Sequence, residues 1–263
     1  MWRNCFVIVN FMCAFALQAQ TPVVSSGGVV NGASFSAQPV APGSLVSIFG
    51  SSLAAGTAAA DTIPISNTLG SVSVTFNNIP APLLLVSPGQ INAQMPWDVL
   101  PGGGPGTVQV VVTNNGVPSA PQSVNIAPTN PGIFNAALSG KQMAIAVNSA
   151  DGTLAWPSGL VSGSHPVKAG DVLIVYATGL GAVDPPVPNG HNDLAVLHNT
   201  IQMPVITIGG VPAVVGFSGM APQFVGVNQL NIVVPPGVTP GTAALQVQFG
   251  NIKSSDQVII AVQ

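Results

Sequence analysis

The chain has 263 residues, 4% of them charged, and a formal net charge of −3. Four basic residues against seven Asp, with no Glu and no block of either sign, argue against nucleic acid and anionic membranes as partners. Low charge does not imply disorder here, because 47% of the residues are hydrophobic and disorder pairs low hydrophobicity with high charge.

Residues 1–19 differ from the rest. Arg3 is followed by an apolar run from Cys5 to Leu17 that closes on Gln18-Ala19-Gln20. A positive start, an apolar stretch too short for a comfortable span and a small residue at the cut predict a secretory signal peptide. Cleavage is expected after Ala19, with Ala16 as the alternative. Both cysteines, Cys5 and Cys13, leave with it, so the exported chain has no disulfide framework and must rely on core burial. No stable membrane insertion is expected after cleavage.

Good helix formers Glu, Lys and Arg are nearly missing, whereas Gly, Pro, Asn and β-branched residues abound. Short runs between turn signals predict strands at Leu45–Phe49, Val72–Phe76, Ile91–Met95, Val108–Thr113 and Gln122–Ala127. Further along, strands are predicted at 143–147, 172–177, 205–208, 229–234, 244–249 and 257–262. This is the pattern of an all-β sandwich.

The order repeats. "PGSLVSIF" (42–49) answers to "AGDVLIVY" (169–176), and "VTFNNIPA" (74–81) to "ITIGGVPA" (206–213). "QINAQMP" (90–96) answers to "QLNIVVP" (229–235), and Pro105-Gly106-Thr107 to Pro240-Gly241-Thr242. The separations are about 127, 132, 139 and 135 residues, a duplicated domain with loop-length differences. Asn77-Asn78 and Gly209-Gly210 sit where a tight hairpin needs positive φ. The expected organisation is therefore a signal peptide (1–19) and two immunoglobulin-like β-sandwiches, 20–127 and 128–263. Residues 128–142 form the junction, with Ile133 and Phe134 expected to pack onto the second domain.

The stretches "VVNGASF", "APGSLVSIFGSSLA", "SPGQINAQMPW", "NPGIF", "DGTL", "VYATGLGAVDPPV", "IGGVPA" and "VNQLNIVVPPGV" resemble the C-terminal domain family of secreted Acidobacteria proteins of the Solibacter type. The likeness covers roughly residues 28–263, and each half is similar to an IPT/TIG immunoglobulin-like domain. The resemblance implies a fold and an extracellular setting, and it transfers no site residue. In that family the domain usually ends a longer chain, whereas here it directly follows the expected signal peptide.

Several stretches invite a chemical reading. "YATGLGAVDPP" (176–186) has a strand and Gly-x-Gly, but Pro185 and Pro186 deny the helix that would face a pyrophosphate. "GFSGM" (216–220) is a near miss for a nucleophile elbow. The loop 181–203 holds Asp184, His191, Asp193 and His198, candidates for a metal or a hydrolase site. "NSADGTL" (148–154) reads as a turn before it reads as a calcium loop. Trp156 reads as a core residue or as a sugar platform. In "SPGQINAQMPW" (87–97), Gln90 and Asn92 recur as Gln229 and Asn231, so they belong to the fold. Gln94 and Trp97 have no counterparts; they are the candidates for a ligand contact or, for Trp97, a contact between domains. No catalytic residue, cofactor or metal is nominated. The expected function is a secreted, non-catalytic binding, adhesion or structural module for an extracellular protein or polysaccharide. The alternative is a carbohydrate-binding module using Trp97 and its neighbouring amides.

Overall fold

The computed structural model describes residues 20–37, 39–192, 195–255 and 257–263; the expected signal peptide, 1–19, lies outside them. Among the described residues every regular element is a β-strand. The strands enclose two main hydrophobic cores, one built from residues between Val24 and Ile126, the other from residues between Ile133 and Val262.

In the first sandwich, one sheet runs in the spatial order Val23–Asn31, Leu45–Ser51, Gln90–Gln94, Leu83–Val86, Ala58–Ala59. The other centres on Gly106–Asn114, flanked by Val72–Phe76 and Gln122–Ile126. Alternation decides which face is buried: Val72, Val74 and Phe76 point inward while Ser73 and Thr75 do not. Each fully buried Val, Ile or Phe contributes about 1.5–3 kcal/mol, which replaces the missing disulfides.

Register shows the duplication strand by strand. Phe49 pairs with Gln90, and Tyr176 pairs with Gln229. Val74 pairs with Val112, and Ile206 with Val247. Both halves carry a bulge at the same place, between Leu83 and Leu85 and between Val215 and Phe217. Parallel bridges Val40–Ile126 and Val167–Val262 also correspond. Asn77 and Asn78 have φ of 48° and 66°, Gly209 and Gly210 of 57° and 83°, so both pairs form the expected two-residue hairpin turn.

The halves differ where proline intervenes. In the first, Ile79–Pro80 and Leu83–Val86 are separate strands in opposite sheets. In the second, Val211–Met220 is one ten-residue strand pairing with Val205–Ile208 and then Asn228–Val233. Pro82 has no N–H to donate, whereas its counterpart Val214 pairs with Val233. The second domain's sheets are therefore joined into one continuous ladder. The strand expected at 143–147 is two, Lys141–Ala144 and Ala146–Asn148, because the chain changes sheets at Ile145. Lys141–Ala144 also closes a hairpin with Asn135–Leu138, which shortens the junction to the few residues after Ala127.

Asn77 holds positive φ and accepts a hydrogen bond from Gln109 N at 2.9 Å. Replacing it with Ala should lower the unfolding free energy by about 1–2 kcal/mol, from the left-handed backbone and the lost bond. Asn77→Gly, which mirrors Gly209, should cost less. Urea unfolding of the two variants checks the order.

Candidate functional site

The two sandwiches meet along a seam of hydrogen bonds from side chains to backbone. Asn130, in the junction, donates through its backbone N–H to Gly179 O and through its side chain to Pro39 O, and its own carbonyl accepts from Asn31 Nδ2 at 2.9 Å. Thr178 is fully buried; its hydroxyl accepts from Leu45 N at 2.8 Å and donates to Gly226 O at 2.7 Å. The two long connections also touch, where Ile65 N donates to Gly190 O at 2.8 Å.

Glycines permit this approach. A Cβ on Gly132 would lie 2.2 Å from Asn31 Oδ1, and one on Gly179 would lie 2.3 Å from Asn130 O. Gly179 and Gly181, the pair in the Gly-x-Gly stretch, both hold positive φ and pack against the junction residues Pro128–Asn130. Their role is to let the linker pass.

Gln94 and Trp97 lie in this seam. Gln94 is fully buried, and its side-chain oxygen accepts from Gly190 N at 2.7 Å while its amide donates to Gly43 O at 3.4 Å. Its side chain is sealed from the surface and bonded on both sides of the seam. Trp97 lies with its ring over Gly43, where an added Cβ would come within 2.2 Å, and packs on Val183, Val187 and Met220 of the second domain. Its backbone N–H donates to Asn189 Oδ1 at 2.8 Å, and Asn189 donates to Asp98. Of the two readings of Trp97, this geometry is that of a contact between domains. The buried indole Nε1 makes no hydrogen bond, and neither does His198 Nε2 beside the same apolar cluster.

The remaining candidates take structural places. Ser218, in "GFSGM", is buried in mid-strand with its hydroxyl 2.7 Å from Thr200 Oγ1, so no elbow presents it. His198 is buried with Nδ1 2.6 Å from Pro185 O, His191 is exposed, and Asp193 lies outside the described residues. Among the described residues, no three potential metal ligands cluster. Asp151 turns the chain, its carboxylate accepting from Thr153 N at 3.0 Å and Thr153 Oγ1 at 2.6 Å. Trp156 is a core residue whose indole donates to Ala144 O at 2.6 Å.

An arrangement the sequence did not disclose appears on both domains. Gln90 Nε2 donates to Asn92 Oδ1 at 2.8 Å, and Gln229 Nε2 donates to Asn231 Oδ1 at 2.9 Å. The amides thus bond each other along the strand. Beside each Gln, across the strand, stands an aromatic residue, Phe49 or Tyr176. Each of these meets an exposed Phe: Phe35 lies 6.3 Å from Phe49, and Phe224 lies 6.2 Å from Tyr176, centroid to centroid. Such a half-exposed patch of rings and amides, without charge, suits contact with neutral surfaces. The aromatic partners come from loops, so the strand repeat alone gave no signal for them.

Residues 29–127 match the IPT/TIG domain model. The register equivalences carry the same immunoglobulin-like fold into the second half. No curated protein matches the sequence. Among solved structures, the chain is similar to SGBP-B of the Bacteroides ovatus mixed-linkage glucan utilization locus, solved with a mixed-linkage heptasaccharide. That likeness has 12% identity and a TM-score of 0.35, covering 95% of this chain and 47% of that one. A second is SGBP-B from a Bacteroides uniformis xyloglucan utilization locus, with 14% identity, a TM-score of 0.25 and coverage of 89% and 48%. A third is the gamma-CGTase of an alkalophilic Bacillus clarkii, with 14% identity, a TM-score of 0.27 and coverage of 88% and 23%. The chain spans about half the length of the two SGBP-B structures.

Two predictions follow from the seam and the turn. Gln94→Ala leaves the buried Gly190 N–H without a partner and should lower stability by about 1–3 kcal/mol, whereas Gln90→Ala on the sheet face should cost roughly 0.5 kcal/mol or less. Equilibrium unfolding in urea separates them. The second concerns Asp151 and His165, 2.8 Å apart on the surface. Hydrogen bonds from Thr153 and then His165 hold the carboxyl down at about 2, and the bond to Pro166 O followed by that to Asp151 raises the imidazole above 6.5. The carboxylate's contribution is present above its ordinary pKa and fades as pH falls towards about 2. The imidazole's is present below its unfolded pKa and fades as pH rises through its raised folded value. Asp151→Asn should therefore lower the His165 pKa in an NMR titration and flatten the loss of Tm on the alkaline side of the imidazole transition.

Proposed function

We propose that this is an exported, non-catalytic binding module of two immunoglobulin-like domains, 20–127 and 128–263, acting at the cell surface or outside the cell on an uncharged extracellular partner. The observation that carries the reading is the repeated aromatic–amide patch. Phe35, Phe49, Gln90 and Asn92 on one domain correspond in chemistry to Phe224, Tyr176, Gln229 and Asn231 on the other. A duplicated sheet needs the inward residues of these strands for its core, and it does not need rings and amides outside. The seam fixes the two patches relative to each other, which lowers the entropy cost of binding one extended partner at both.

The motifs from "VVNGASF" to "VNQLNIVVPPGV" support placing the chain with the Solibacter-type family, whose extracellular setting agrees with the apolar segment before Ala19. The hydroxyl candidate Ser218 is buried against Thr200 and the imidazole of His198 is buried with Nδ1 against Pro185 O, which favours binding over turnover.

Co-sedimentation of the purified protein with washed cell envelopes and with insoluble polysaccharides tests this. Retention without release of soluble product is expected. Failure to sediment with either material, or product release by the pure protein, would overturn the reading.

A further inference from the structure

The connection after the common bulge is seven residues longer in the second half than in the first. Leu85 and its partner Asn92 are separated by six residues, whereas the equivalent Phe217 and Asn231 are separated by thirteen. The extra length falls between Met220 and Asn228, where the chain leaves the sheet, turns at Gln223 in the left-handed region (φ 73°) and exposes Phe224. Gln223 is not a glycine, so this turn costs of order 1 kcal/mol. Asn192 from the neighbouring long loop donates to both Ala221 O and Phe224 O, pinning the backbone on either side. The result is a large apolar ring held out towards solvent by a strained and braced loop, the reverse of what stability alone favours.

What the ring overlooks is a groove between the domains, about 550 Å³ in volume. Asp61, Thr62 and Ile63 line it from the first domain, and Gln223, Phe224 and Val227 from the second. Phe224 and Val227 are also one wall of an adjoining apolar hollow of about 340 Å³, completed by Phe134, Ile145 and Tyr176. Volumes of this order at a domain boundary are those of ligand sites. The site is thus absent from either domain taken separately.

The lining selects the occupant. Ring faces want C–H groups, and Asp61, the one charged residue among the described residues of the groove, wants hydroxyl donors. A purely apolar segment would desolvate Asp61 and Gln223 without bonding them, and a polyanion would be repelled by Asp61. A pyranose presents C–H groups on its faces and hydroxyls round its edge, satisfying both demands. We propose that this groove binds a neutral polysaccharide chain, with sugar rings packed on Phe224 and Tyr176 and hydroxyls donating to Asp61. The proposal rests on the binding reading above and names its ligand class and its principal site.

The test is affinity electrophoresis of the whole protein in native gels containing β-1,4-glucan, β-1,3-glucan, xylan, galactomannan or dextran. Wild type should be retarded by at least one of them. Phe224→Ala should weaken that binding about tenfold and Asp61→Asn about threefold, with Met203→Ala, exposed and outside the groove, as the control. Phe224 and Asp61 are exposed, so unfolding midpoints should not change. No retardation of wild type by any polymer, or equal retardation of wild type and Phe224→Ala, overturns the proposal. If Phe224→Ala still sediments with envelopes as wild type does, the groove is wrong while the binding reading stands. If wild type binds neither envelopes nor any polymer, both fall.

Discussion

A fully buried amide, that of Gln94, couples one domain to the other. Its oxygen takes the Gly190 N–H and its nitrogen reaches Gly43 O, so a single side chain belongs to the hydrogen bonding of both sandwiches. A buried amide is costly unless it is bonded, so this arrangement resists sliding or hinging of the two domains. Thr178 and Asn130 repeat the device at other points of the seam. Trp97 then closes the seam on its apolar side against Val183, Val187 and Met220. Everything proposed about function depends on that rigidity, because the groove beneath Phe224 has one wall from each domain.

The duplication is informative because it is imperfect. Where the two halves agree, as in the hairpin turns and the common bulge, the feature belongs to the construction of the sandwich. Where they disagree, the difference has a purpose beyond the fold. Gln94 and Trp97 are peculiar to the first half and serve the seam; the residues around Phe224 are peculiar to the second and form the rim of the groove. Pro82 is a third difference, and it lies at the break that leaves one domain with two separate sheets while the other has a continuous ladder.

Much of this was legible before any coordinates. Composition and alternation predicted an all-β chain, and four offsets predicted a register that the pairing of Phe49, Val74 and their counterparts reproduces. Leu83–Val86 is four apolar residues with no alternation to mark a strand, and in Val211–Met220 Pro212, Gly216 and Gly219 interrupt the pattern. Gln94 stands out in the sequence for having no counterpart in the repeat, and absence from the repeat marks an interface as well as a ligand site.

The sequence by itself determined the class of fold, its duplication, its turns and the residues special to each half, because those depend on local propensity and on a period of two. Only the tertiary structure decided which special residues face inward. Gln94 and Phe224 lie 130 positions apart, and nothing local distinguishes an amide that will be sealed between domains from a ring that will be held over a groove. That distinction comes from long-range packing, in which the loops 51–69, 181–203 and 219–228 converge on one seam.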